Sequence, residues 1–220
     1  MDALNLPDPF YLVIVLVFLS LAPFAAIMLT SFIKLVVVLS LVRNALGIQQ
    51  IPPNMVINGL ALVLTIYVMA PVGMEAFELI RDDPISTSNF QSMVGAAGKV
   101  KEPVRRFLER HSHSRERKFF LKAAGTLWPE ERADQLEETN LMVLIPAFTV
   151  SELTQAFQIG FLLYLPFVVI DLVVSNILLS MGMMMVSPMT ISLPFKLLLF
   201  VLVDGWARLI HGLVLTYAIA

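Results

Sequence analysis

Cysteine is absent from all 220 residues, which excludes disulfides, thiol nucleophiles and thiolate metal sites. Charge is scarce as well: 15% of the residues are Asp, Glu, Lys or Arg, whereas soluble domains carry about a quarter. Histidine is limited to His111, His113 and His211. The first two are spaced i, i+2 within a run of Ser, Arg and Lys, which reads as a solvated face and not as a metal site. The chain contains no Gly-Lys-Ser/Thr phosphate loop, no GxGxxG turn, no His-Glu-x-x-His and no Gly-x-Ser-x-Gly. Its acids are too scattered to nominate a catalytic pair, so neither an enzyme, a cofactor nor a metal is indicated. A net charge of −2 with both signs mixed leaves no basic stripe for phosphates, and no nucleic-acid partner is expected.

What remains is apolar. Hydrophobic residues make up 58% of the chain, and the mean hydropathy is +0.82. Such a surface needs lipid or protein around it. The charges are segregated: residues 75–140 hold 23 of the 32, leaving 9 for the other 154 residues. This pattern predicts an all-α integral membrane protein of two hydrophobic helical hairpins, 1–74 and 141–220, flanking a small polar helical insert, 75–140.

Phe10 to Ile33 is a charge-free run of 24 residues, about 36 Å as a helix and longer than the roughly 30 Å hydrocarbon core. The ten residues MDALNLPDPF hold two Asp and no Lys or Arg, unlike the basic start of a cleavable signal peptide, so this helix is expected to be retained. Pro23 should kink it. RNALGIQQIPPN, residues 43–54, predicts the first hairpin turn, followed by a helix from Met55 to Met74. In the insert, RDDPISTSN reads as turns. Pro103 suits a first helical turn ahead of Val104, Phe107 and Leu108 on one face, and Ser114 suits the cap of a second helix carrying Phe119, Phe120, Ala123 and Leu127. Thr139-Asn140 is a plausible cap for the second apolar block. Helix from Leu141 to Met181 would be about 60 Å long, twice a bilayer core, so Pro146, Gly160 and Pro166 are expected to bend or divide it. A last helix is expected from Ser192 and Pro194 through Leu215. Lys/Arg bias would place the Arg43 loop and the turn near Met185 in the cytoplasm, with the insert and C-terminus outside.

Four features stand out within the apolar blocks. The midpoint between Asp171 and Lys196 falls inside the Gly182 to Pro188 breaker, so a hairpin turning there sets acid beside base, with Ser175 or Asn176 in a position to help. The pair is either a structural staple or a charge that responds to gating. Glu152, Gln155 and Gln158 form a polar stripe on a Phe/Ile/Leu helix, suited to contact between subunits or to lining a pore. Lys34 has no evident partner, since reflection through the first turn lands near Val63, and snorkelling or an intersubunit role would accommodate it. Met181, Met183, Met184 and Met185 crowd the second turn. Such pliable side chains either fill apolar space or seal around objects of variable shape.

TSFIKLVVVLSLVRNALGIQQIPPN (Thr30 to Asn54) and the long block from Leu144 to Trp206, including SELTQAFQIGFLLYLPFVVIDLVVSNILLSMGMMMVSPMT, resemble the SctR/FliP family of type III secretion export-apparatus proteins. Injectisomes and bacterial flagella both use such proteins, and the GIQQIPPN loop is more similar to the injectisome (SctR) branch. The resemblance implies an inner-membrane export-gate subunit, a homo-oligomer expected to be a pentamer. With SctS-like and SctT-like subunits and SctU-like and SctV-like components it would conduct unfolded secreted proteins. It further implies a core drawn towards the periplasm, a pore gasket at Met183, Met184 and Met185, and a functional Asp171–Lys196 pair. Competing functions are a small secondary transporter or ion channel using Glu152, Asp171 and Lys196 as a relay, and a purely structural scaffold.

Overall fold

A computed structural model describes residues 9–48, 50–81 and 90–218, which form helices and turns with no strand among them. The helices are α1 (Pro9–Leu29), α2 (Phe32–Ala45), α3 (Asn54–Arg81), α4 (Phe90–His111), α5 (Ser114–Leu127), α6 (Glu130–Ala133), α7 (Leu141–Ser180), α8 (Pro188–Leu202) and α9 (Gly205–Leu215). The expected all-α architecture is therefore present. Among the described residues two helices, α3 and α7, are long and apolar enough to cross a membrane, or up to four spans if each of two bent pairs counts as one.

The organising contact is α2 against α7. In α2, Leu35, Val38, Leu39 and Val42 recur at helical spacing and are all buried. In α7, Glu152, Ala156, Gly160 and Phe167 form the facing stripe, while Leu144 and Phe148 pack against Phe107, Leu108 and Tyr217. The two helices run in the same direction, with Lys34 beside Glu152 and Leu41 against Gly160. Relative to water, burying each Leu or Phe contributes about 1.5–3 kcal/mol. The outer face of α7, with Phe157, Phe161, Leu165, Val169, Leu172 and Val173 exposed, gains nothing comparable within one chain. That face requires lipid or other subunits.

Several expectations are corrected. The first apolar run is not one straight helix: Pro23 lies inside α1, and the break falls at Thr30-Ser31, where the segments on either side are bent by 79°. There the Thr30 hydroxyl donates to the Ala26 carbonyl (2.5 Å) and accepts from the Phe32 amide (3.5 Å), competing with the helix's own ladder. α3 continues past Met74 to Arg81, and Pro103 lies inside the 22-residue α4 instead of opening a helix. Extended His113 precedes α5, so Ser114 is its first residue and not its cap. α7 is one continuous helix of 40 residues despite Pro146 and Pro166. Gly160 does not divide it either but allows close approach, since a Cβ there would clash with Leu41 Cδ1. The last helix begins earlier, at Pro188 in a first turn, and it breaks after Leu202 through Asp204 in the left-handed region (φ 53°), bending α8 and α9 by 60°. The Asn140 cap is present: its side chain accepts from the Met142 amide at 3.0 Å. The turn-rich stretch around residues 82–89 and most of the N-terminal ten residues lie outside the described set.

Candidate functional site

Two buried charge networks hold the bundle, one towards each end of its central part. At the first, α8 folds back along α7 through the Met181–Ser187 turn, and Lys196 meets Asp171 at 2.6 Å. Lys196 Nζ also donates to the Ala45 carbonyl at the C-terminus of α2 (3.3 Å), where a cation suits both the free carbonyls and the helix dipole. The helper is Ser192, not Ser175 or Asn176: its hydroxyl donates to Asp171 Oδ1 at 2.6 Å. Ser192 projects one turn before Lys196 on the same face of α8, so both reach one carboxylate. The network joins α2, α7 and α8, with Lys196 buried and Asp171 only partly so.

The second network was not foreseen. Lys34, expected to lack a partner, is 1% exposed and lies 2.9 Å from Glu152, which is 0% exposed. The Lys34 ammonium also sits 4.0 Å from the centre of the Tyr217 ring, and the Tyr217 hydroxyl donates to the other Glu152 oxygen. Burial, with the Glu152 carboxylate beside it, pushes the Tyr217 phenol far above its usual range, so it remains a donor. This corrects the snorkelling expectation: the ammonium has its anion, and the aromatic ring replaces water on another side. The signal available in sequence was charge balance, because the two buried cations of the apolar blocks, Lys34 and Lys196, match two acids, Glu152 and Asp171.

The predicted polar stripe is consequently divided. Glu152 faces inward to Lys34 and Tyr217. Gln155 is half-buried, with its amide 3.1 Å from His113 Nε2. Gln158 is exposed and lines an open groove of about 530 Å³ with Val150, Leu153, Thr154, Phe157 and Phe161. His111 is also corrected: it is buried and packed between Phe107 and Tyr217, not on a solvated face. Among the described residues no group of three or more His, Asp or Glu lies together as a metal site would require.

The Met turn differs in kind from both networks. Every residue from Met181 to Ser187 is exposed, with Met184 at 82% and Met185 at 102%. Gly182 adopts φ 74°, a conformation that costs other residues strain, and this lets the chain leave α7 abruptly. Met183, Met184 and Met185 thus form the tip of a hairpin whose arms are tied by Asp171 and Lys196.

Residues 15–213 match the FliP family. The chain belongs to that family. It is 58% identical over 214 residues to Yop proteins translocation protein R of Yersinia pestis, covering 97% of this chain and 99% of that protein. Hypersensitivity response secretion protein HrcR of Ralstonia nicotianae is 50% identical over 208 residues, 94% of this chain and 96% of the relative. Virulence protein YscR of Salmonella typhimurium is 48% identical over 221 residues, 98% of this chain and 100% of the relative. These FliP-family relatives are of the injectisome kind, and the family match contains Lys34, Glu152, Asp171, Lys196 and the Met turn.

Proposed function

We propose that this chain is a core subunit of the type III secretion export gate in the bacterial inner membrane. Several copies, expected to form a pentamer, join SctS-like and SctT-like subunits around a channel for unfolded protein substrates. SctU-like and SctV-like components complete the export apparatus. The observation that carries this reading is the contrast along α7 and α8: a pinned hairpin ends in a wholly exposed tip of consecutive methionines. A lone globular chain has no use for that arrangement. In a ring of copies the tips converge, and pliable thioether side chains close a pore without gripping what passes. The exposed outer face of α7, with Gln158 and Thr154 among aromatic residues, supplies surface for neighbouring subunits. The insert and the C-terminal turn meet at the opposite end of the bundle from the Met turn, in keeping with an assembled core that extends towards the periplasm.

Export and small-molecule leak measured together in cells carrying Met183, Met184 and Met185 replaced by alanine test this reading, with assembly followed by native gel. Leak or altered export from intact assemblies is the expected result. Normal export and normal permeability would reduce the cluster to packing and move the pore role to other surfaces.

A further inference from the structure

His111 closes α4 where the polar insert meets the end of the chain. Its Nδ1 lies 2.9 Å from the Phe107 carbonyl oxygen and its Nε2 lies 3.4 Å from the Tyr217 carbonyl oxygen, on the C-terminal turn. Both oxygens can only accept, whereas a neutral imidazole has a single N–H. Neutral His111 therefore satisfies one carbonyl and turns a lone pair on the other. The imidazolium donates to both.

We propose that His111 is a proton-operated clasp between the insert and the C-terminal turn. With the extra proton bound, it holds the Tyr217 carbonyl as well as that of its own helix. When the proton leaves, the bond to Phe107, the shorter and local one, persists and the link to Tyr217 opens.

The surroundings contain charges of both signs. From α3, Glu75 faces the adjoining cleft and pairs with Arg106 of α4, and Arg110 of α4 lines the same cleft. From α7 and α2, Glu152 and Lys34 meet the Tyr217 side chain. His113 lies two residues further on, beside Gln155. The Phe107 and Tyr217 rings pack against the imidazole, with centroids 4.5 and 5.2 Å from its own. The two carbonyls are the groups in direct hydrogen-bond contact. Because Tyr217 also donates its hydroxyl to Glu152, opening the clasp loosens the phenol that covers the buried Lys34–Glu152 pair, so a proton bound in the insert is felt between α2 and α7.

Hydrogen exchange on the full-length, detergent-solubilised chain tests this. Protection of residues 213–218, corrected for intrinsic exchange and compared with residues 144–156 of α7, is followed between about pH 5 and 8, the window in which histidine changes charge. Loss of one charge-assisted hydrogen bond predicts a fall of about tenfold in protection of 213–218 as pH rises. The fall should persist in His113→Gln and vanish in His111→Gln, whose amide does not titrate. Equal pH dependence in His111→Gln overturns the proposal. Should that variant fail to fold, the wild-type series still decides: a fall confined to 213–218 supports the clasp, and a flat profile, or one shared equally by α7, overturns it.

Discussion

Replacing Lys34 by Met tests whether the buried pair at the heart of the α2–α7 contact holds the fold. The change keeps an unbranched apolar stem but strands the Glu152 carboxylate, 0% exposed, with the Tyr217 hydroxyl as its donor. Removing one partner of a buried ion pair costs about 3–5 kcal/mol, because the other charge is left without compensation. For a chain of this length that corresponds to a midpoint lower by something on the order of 10 °C. Glu152→Leu alone strands the ammonium and should cost a similar amount. The double variant Lys34→Met/Glu152→Leu strands neither charge, and what remains is the Tyr217 hydroxyl without its acceptor, a loss of about 1 kcal/mol. Thermal unfolding of the four purified chains in detergent therefore gives a strongly non-additive cycle, with the double variant more stable than either single one. Single losses below about 1 kcal/mol, as surface pairs show, or losses that simply add, would refute the assignment of Lys34 and Glu152 as a mutually dependent buried pair.

Gly160→Ala should destabilise the α2–α7 contact by about 1–3 kcal/mol through overpacking against Leu41, partly offset by about 1 kcal/mol of helix propensity. In a Leu41→Ala background the same substitution should become neutral or stabilising, which thermal unfolding reads directly. Ser192→Ala removes a 2.6 Å bond to Asp171 and should cost about 1.5–3 kcal/mol, the range for bonds to charged acceptors. Ser175→Ala should leave unfolding unchanged, and the reverse order would reinstate Ser175 as the helper. In the insert, hydrogen bonding from Arg105 holds the Glu102 carboxyl below its usual range. A depressed folded value means the contribution is present above the unfolded value, about 4.3, and is lost as pH falls through the folded one. The unfolding midpoint of Glu102→Gln should therefore respond less to acid than that of the wild type, by a small margin because the pair is exposed.

How far the sequence reveals this arrangement depends on the separation of the groups involved. Asp171 and Lys196 are 25 residues apart around a Gly/Pro/Met turn, so hairpin geometry alone sets them side by side. Lys34 and Glu152 are separated by the whole insert, and no local rule relates them, although the scarcity of charges in the apolar blocks left few alternatives. Proline and glycine misled in α7 for a physical reason. A proline removes one ladder bond and crowds the preceding turn, but a helix packed against Phe107, Leu108 and Tyr217 through Leu144 and Phe148, and against α2 from Glu152 to Phe167, stays continuous through that local loss. Conversely, nothing apolar signals the break at Thr30-Ser31, where a hydroxyl captures a backbone carbonyl. Hydropathy located the apolar helices, whereas a side-chain hydroxyl marks the bend at Thr30-Ser31 and left-handed backbone at Asp204 marks the bend between α8 and α9.

The same geometry weighs against a charge relay along α7. Glu152 and Asp171 are 19 residues apart on one continuous helix, about 28 Å along its axis, and each carboxylate is engaged by its own cation and its own hydroxyl, Lys34 and Tyr217 in one case, Lys196 and Ser192 in the other. A proton moving from one to the other would have to cross several turns whose buried residues are Ala156, Gly160 and Phe167. Two closed networks stiffen two parts of a bundle. They leave the methionine tip, beyond the Asp171–Lys196 network, as the part of the hairpin free to change shape.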